Sequence, residues 1–288
     1  MDLYLIIVII MLALAVSGLV VGVANDAVNF LNSALGSKAA PRYVIMTVAS
    51  VGIIVGAITS NGMMEVARSG VFHPEMFTFA EVMLLFLAVM FTNVILLDIF
   101  NTLGMPTSTT VSLVFGLLGA AVGISIFKIA NDALVTLPDG SLATMADMIN
   151  TGNAMAIIGG ILISVVIAFV CGTVVMYITR LIFSFRYQSK LKSYGAVWCG
   201  IALTAISYFA VFKGLKGTQV IPADWMSWME GHIPMMLGGL LVGWSLIMSI
   251  LSMLKVNILR ITVLAGTFSL ALAFAGNDLV NFIGVFVA

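Results

Sequence analysis

The chain has 288 residues, of which 62% are hydrophobic and 8% charged, and its formal net charge is zero. Soluble domains carry about 45–50% apolar and about 25% charged residues, so a soluble domain is excluded, and a neutral chain offers nucleic acid no basic surface. The apolar runs are continuous over about 17–25 residues, the length of a membrane helix, where barrel strands would alternate over about ten.

Hydropathy places eight spans, at roughly 3–23, 43–60, 82–100, 109–127, 154–179, 195–212, 235–254 and 261–288. Only Asp2 precedes the first run, with no basic residue, so despite Ala13-Leu14-Ala15 it reads as a retained helix and not a signal peptide. It leads directly into Gly22 to Gly36, GVANDAVNFLNSALG, which sets Asn25, Asp26, Asn29 and Asn32 where hydrocarbon should continue. A charge within a membrane costs about 2.5–3.5 kcal/mol on insertion scales, and such residues persist where they face a cavity and bind something. The motif is expected to end the first span.

The second span presents Gly52 and Gly56 at the small-xxx-small spacing that lets helices approach closely, as do Gly116, Gly119 and Gly123 on the fourth and Gly239 and Gly243 on the seventh. The third span carries Thr92, Asn93 and Asp98 and runs into Asn101-Thr102-Leu103-Gly104-Met105-Pro106-Thr107-Ser108-Thr109-Thr110. Pro106 stops a helix entering from the third span and suits the first turn of the fourth. Thr107, Ser108, Thr109 and Thr110 then add hydroxyls to the N–H groups and positive dipole end of a helix start, which together form an anion site. The bland alternative is an ordinary Ser/Thr N-cap. Asp98 reads as a boundary residue, with a second cation or gating ligand as its alternative.

Ala130-Asn131-Asp132-Ala133 copies the first letters of the motif but lacks the following Val-Asn, and it lies in a polar loop beside the turn signal Pro138-Asp139-Gly140. It reads as a decoy. Cys171 and Cys199 read as buried small hydrophobes, and His73 and His232 as loop residues. The loops after the odd-numbered spans hold Lys38, Arg42, Arg180, Arg186, Lys190, Lys192, Lys255 and Arg260, against Arg68, Lys128, Lys213 and Lys216 after the even ones. The positive-inside rule then sets the N-terminus outside a multi-pass protein of the cell membrane. For the basic stretch from Arg180 to Lys192 a lipid-headgroup patch is the alternative to this positive-inside reading.

The last span is broken by a second copy of the motif. Asn277, Asp278, Val280, Asn281 and Phe282 repeat Asn25, Asp26, Val28, Asn29 and Phe30 at an offset of 252 residues, and Ser269 repeats Ser17. The copies fall in the first and eighth spans, which run in opposite directions, as in an inverted-repeat secondary transporter with broken helices facing each other near the midplane. The expected architecture is an all-α membrane protein of about eight transmembrane helices forming one transmembrane domain over 1–288. It divides into a first repeat over about 1–130, linking spans over about 131–255 and the start of an inverted second repeat over about 256–288.

GVANDAVN followed by SALGSKAA, the P-T-S-T-T segment and the returning GNDLVNF resemble the inorganic phosphate transporter (PiT) family. The resemblance implies inverted repeats, each with an Asn-Asp and a P-x-S-T-T motif, that move inorganic phosphate with a coupling cation, usually Na⁺ and in some members H⁺. A few relatives carry sulfate. Two departures stand out. The second P-x-S-T-T is expected near position 358 by the 252-residue offset, so the sequence resembles the N-terminal part of a longer transporter. Val111 stands where the family usually has histidine, which removes a proton-handling role there.

The expected function is therefore cation-coupled symport of inorganic phosphate by alternating access, with Na⁺ as the coupling ion. Sulfate or another oxyanion, or H⁺ coupling, is the alternative. Carboxylates repel ionised phosphate in a low dielectric and suit a hard cation. Asp26 and Asp278, with the carbonyls of Asn29 and Asn281, are accordingly assigned to Na⁺. Thr107, Ser108, Thr109 and Thr110 are assigned to phosphate, with Asn25 and Asn277 bridging the two. A cation screening carboxylate from phosphate makes anion affinity depend on the cation. No enzyme is expected, since no histidine lies in a span beside a nucleophile. No cofactor beyond the coupling ion is expected, and the partners are phosphate, Na⁺ and the bilayer, with no nucleic acid; a homodimer is compatible with the sequence.

Overall fold

The computed structural model describes residues 3–59, 70–132, 136–137, 140–184, 187–215, 222–279 and 282. Arg68, Pro138, Asp139, Arg186, Val280 and Asn281 lie outside the described residues. Ten α-helices follow in order: α1 (Leu3–Gly36), α2 (Arg42–Thr59), α3 (Phe79–Thr102), α4 (Thr109–Ala130), the single turn α5 (Met145–Met148), α6 (Thr151–Ile182), α7 (Tyr187–Phe209), the short α8 (Ala223–Gly231), α9 (Ile233–Met253) and α10 (Ile258–Asn277). Among the described residues eight are long and apolar enough to cross a membrane, and each overlaps one of the eight expected spans. Among the described residues there is no extended strand, only two isolated β-bridges, Phe72 with Ile149 and Thr136 with Leu142.

The first helix departs from expectation. It does not end at the Asn-Asp motif but carries it as regular helix to Gly36. The reason is local: no proline falls between Ala24 and Gly36, and Asn and Asp cost at most about 0.7 kcal/mol each against alanine in a helix. The helix stops where Lys38 adopts φ 53°, with Ala39 N–H donating to the Ala34 carbonyl at 3.2 Å and Lys38 N–H to Leu35 at 3.2 Å, a Schellman closure. At 34 residues α1 is about 51 Å long, well beyond the ~30 Å of bilayer hydrocarbon. The second motif does fall at a helix end: α10 stops at Asn277, and Asp278 and Leu279 form a turn.

The α3–α4 corner also differs in detail. Gly104, at φ 67°, ends α3. Its N–H donates to Asn101 at 3.0 Å and that of Met105 to Phe100 at 2.9 Å, the same closure with glycine in the left-handed position. Pro106 therefore lies in a short link, and α4 begins only at Thr109.

The chain forms two compact units, one of Met1–Asp26, Gly62–Val165 and Asn277–Ala288, the other of Ala27–Asn61 and Val166–Gly276. In the first, Met11, Leu85, Val89, Leu113, Val114 and Leu117 centre a core between the N-terminal half of α1, α3 and α4. Lys128, counted by sequence as a loop residue, lies buried in the last turn of α4. Its ammonium donates to Glu81 Oε2 at 2.8 Å and to the Met76 carbonyl at 3.1 Å. Asn131 caps α4, its amide donating to Phe127 at 2.8 Å, so the motif-like tetrapeptide serves a helix end.

In the second unit Cys199, Leu203, Met248 and Ile258 form a small core between α7, α9 and α10. Gly52 and Gly56 of α2 face α10: a Cβ at Gly52 would meet the Phe268 carbonyl at 2.6 Å, and one at Gly56 would strike the Leu272 carbonyl. That pair is a close-approach face. Gly119, Gly123, Gly239 and Gly243 are not, since nothing stands within 4 Å of a Cβ there. Cys171 is exposed on α6, unlike buried Cys199, and both are free thiols.

Candidate functional site

The polar residues that sequence singled out meet inside the first unit. Asn25 and Asp26 are buried on α1, at 7% and 5% exposure. Asn25 acts as a clasp. Its amide N–H groups donate to Asn101 Oδ1 at 3.0 Å and to the Met105 carbonyl at 3.3 Å, and its Oδ1 accepts from the Thr107 N–H at 3.1 Å. Asn101 completes the clasp by donating to the Val21 carbonyl at 2.9 Å. The loop from Asn101 to Thr107 is thereby tied to α1 at both ends, and both amide hydrogens of Asn25 are used within the protein.

The hydroxyl cluster divides its labour. Ser108 is the N-cap of α4, its Oγ accepting from the Val111 N–H at 3.3 Å, so the ordinary capping role is present in this residue. Thr109 is buried at 3% exposure. Thr110 reaches the second motif: its Oγ1 donates to Asp278 Oδ1 at 3.0 Å. One turn further, Ser112 Oγ donates to Oδ1 of buried Asn93 at 2.6 Å, fixing the start of α4 against α3. Asp26 and Asp278 lie within range of each other's charge.

The segment after the second motif packs here as well. The ring of Phe282 lies against α1 so closely that a Cβ on Gly22 would overlap it, while a Cβ on Gly18 would sit at 3.6 Å. Gly22 is thus required by contact, at the head of the motif.

Asn29 is exposed on α1 and belongs to the second unit, as does exposed Asn32. Asp98 is exposed near the end of α3. Asn277 is the last residue of α10, and Asn281 is outside the described residues. Sequence reading passed over Asn101, Gly22 and the Asn93–Ser112 pair as members of the site. Asn101 stands in the polar stretch before P-T-S-T-T, and that position was its available signal. Among the described residues no cluster of three or more His, Cys, Asp or Glu is arranged to hold a metal ion. The donors at hand are two carboxylates, amides and hydroxyls, the oxygen set that suits a weakly bound hard cation.

Comparison with known proteins gives the chain its family and its fold. The model of a family described as the phosphate transporter family matches residues 22–288. A candidate phosphate permease of Thermococcus kodakarensis is 25% identical over 200 residues, covering 68% of this chain and 45% of the permease. The chain thus spans just under half the length of that relative. A solved structure described as the sodium-dependent phosphate transporter matches with a TM-score of 0.67 at 18% identity, over 97% of this chain and 66% of the other; at that identity the likeness is one of fold.

Proposed function

The chain belongs to the phosphate transporter family, a family of transporters and not of enzymes, and from that membership we propose that the protein carries inorganic phosphate across the cell membrane by alternating access, coupled to Na⁺, with its N-terminus outside. The observation that carries this reading is the hydrogen bond from Thr110 to Asp278. It joins the hydroxyl-rich helix start of the first repeat to the acidic motif of the second, two segments 168 positions apart.

In this reading Thr107, Ser108, Thr109 and Thr110 and the first N–H groups of α4 receive the phosphate oxygens, aided by the positive end of the helix dipole. Asp26 and Asp278, near enough to repel, receive Na⁺ together with amide oxygens of Asn277 and Asn281. Without a cation the two carboxylates oppose both each other and the incoming anion; with one bound, the anion meets a neutralised site. Phosphate affinity then rises with Na⁺ and, by linkage, Na⁺ affinity rises with phosphate. Asn25 serves the anion through the loop it holds. The sodium-dependent description of the fold neighbour supports Na⁺ as the ion.

The test is uptake of radiolabelled phosphate into proteoliposomes holding the whole protein, with and without an inward Na⁺ gradient and with sulfate as competitor. Uptake that needs Na⁺ and ignores sulfate is the expected result. Uptake driven instead by a pH gradient replaces the ion, and equal competition by sulfate replaces the substrate.

A further inference from the structure

A second polar feature lies far along the chain from these motifs. From Met148 to Ala223 there is no Asp or Glu, while Arg180, Arg186, Lys190, Lys192, Lys213 and Lys216 fall in the same stretch. Arg180 sits in the last turn of α6, and Lys190 and Lys192 in the first turns of α7. Helix α6 has 32 residues, about 48 Å, so both its end and the start of α7 stand at headgroup level.

Below that level the surface is cleft. A cavity of about 390 Å³ opens between the end of α6 and one face of α7, lined by Ile182, Lys190, Tyr194, Val197, Trp198 and Ile201. The α7 residues recur at three- and four-residue spacing, one face of a helix. Phe183 stands edge-on to Trp198 of the lining at 5.6 Å between ring centres. The cleft opens outward: Tyr194, Val197 and Ile201 are 60%, 51% and 49% exposed. Its chemistry is ordered by depth. Lys190 is at the mouth, the Tyr194 hydroxyl one turn below at the depth where aromatic belts sit, and the floor is purely apolar down to Ile201, about 17 Å from the lysine.

On the other flank of α7 a cavity of about 440 Å³ against α9 has Lys192, Ser193 and Ser252 at one end, but Ser245 and Ser249 interrupt its apolar lining, so the order by depth belongs to the α6–α7 cleft.

We propose that the α6–α7 cleft is a binding site for an anionic phospholipid of the surrounding bilayer, with its phosphate at Lys190 and an acyl chain along Val197, Trp198 and Ile201. The occupant follows from charge complementarity and from the amphipathic order of the cleft. A positive mouth with no carboxylate in the surrounding stretch prefers an anionic headgroup, and an apolar floor exposed to the bilayer takes an alkyl chain. A free anion such as phosphate would use the mouth and leave the floor without a role.

The experiment is native mass spectrometry of the whole protein titrated with phosphatidylglycerol or with phosphatidylcholine of the same chains. The expected result is selective retention of phosphatidylglycerol. Losing the Lys190 charge in Lys190→Gln lowers that affinity about fivefold, Lys190→Arg restores it, and Ile201→Trp, which fills the floor and keeps the charge, lowers it as well. Both positions are exposed, so elution and circular dichroism stay those of the parent in all three variants. Equal retention of the two lipids overturns the proposal. Loss with Lys190→Gln but not with Ile201→Trp reduces it to ordinary surface charge and overturns the cleft, as does competition by free phosphate at millimolar concentration. Loss with Ile201→Trp alone overturns the headgroup contact.

Discussion

Asn101 shows how a side chain can set a site without touching what the site binds. It gives Asn25 an acceptor and fixes the Val21 carbonyl, so the loop that presents Thr107 is held from two directions. In Asn101→Leu both bonds go, and the buried amide of Asn25 is left with a missing partner, a loss of about 1–3 kcal/mol. Most of that loss falls on the ordering of the anion loop. The half-saturating phosphate concentration therefore rises about tenfold, while the Na⁺ activation constant at saturating phosphate stays within about twofold. A change in Na⁺ activation with phosphate affinity intact would assign Asn101 to the cation instead. Thr110 tests the link itself: Thr110→Ser keeps the hydroxyl facing Asp278 and retains uptake, whereas the near-isosteric Thr110→Val abolishes it. Equal uptake by the two variants would leave the hydrogen bond without a function. Asn25, Asp26 and the four hydroxyl residues were legible in the sequence because polar side chains inside an apolar run are conspicuous. Asn101 was not, because its worth comes from a partner 76 positions away, which no local pattern announces.

At the scale of elements, α3 and α4 are fastened at both ends by different means. Near the site the fastening is neutral, Ser112 to Asn93. At the opposite end it is ionic, with Lys128 at 3% side-chain exposure bonded to Glu81 at 24%. Glu81 also belongs to the capping box of α3, accepting from the Thr78 N–H at 2.7 Å. The two partners are therefore unequal. Removing Glu81 strands a buried ammonium over the Phe77 ring, 5.5 Å from its centre, and such a loss costs about 3–5 kcal/mol. Removing Lys128 leaves a carboxylate that still caps its helix and still meets solvent. Glu81→Ala is thus expected to lower the thermal unfolding midpoint in detergent clearly more than Lys128→Met does; the reverse order would mean that the acid and not the base is the buried liability. The eight spans were legible from apolar length alone, but helix ends were less so. The α1 continuation through Asn25 and Asp26 turns on the absence of a breaker, and Gly104, two residues before Pro106, ends α3 in place of the proline. Glycine spacing gave a true contact at Gly52 and Gly56 and none at Gly119 and Gly123, since spacing shows which residues share a face and not what that face meets.

For the whole molecule, the 252-residue repeat has a physical counterpart in two ring contacts. Phe282 packs on Gly22 in the first unit, and Phe30 packs on Phe274, 5.4 Å between ring centres, in the second. Adding 252 to Gly22 reaches Phe274, and subtracting it from Phe282 reaches Phe30. The two contacts exchange under the 252-residue offset of the sequence. If the repeats share one cation, Asp26 and Asp278 are halves of one site and their substitutions must not act independently. Asp26→Asn and Asp278→Asn are each expected to raise the Na⁺ concentration for half-maximal phosphate uptake about tenfold, and the double variant far less than a hundredfold, since once one carboxylate is gone the cation has little left to lose at the other. Residues at a shared partner show interaction energies of about 0.5–3 kcal/mol in such a cycle, whereas independent sites add within about 0.5 kcal/mol. Sodium-induced thermal stabilisation of the four proteins, measured against potassium, supplies the same cycle without transport. Agreement between the two cycles locates the coupling in binding, whereas additivity in both would give each carboxylate its own ion and separate the repeats energetically.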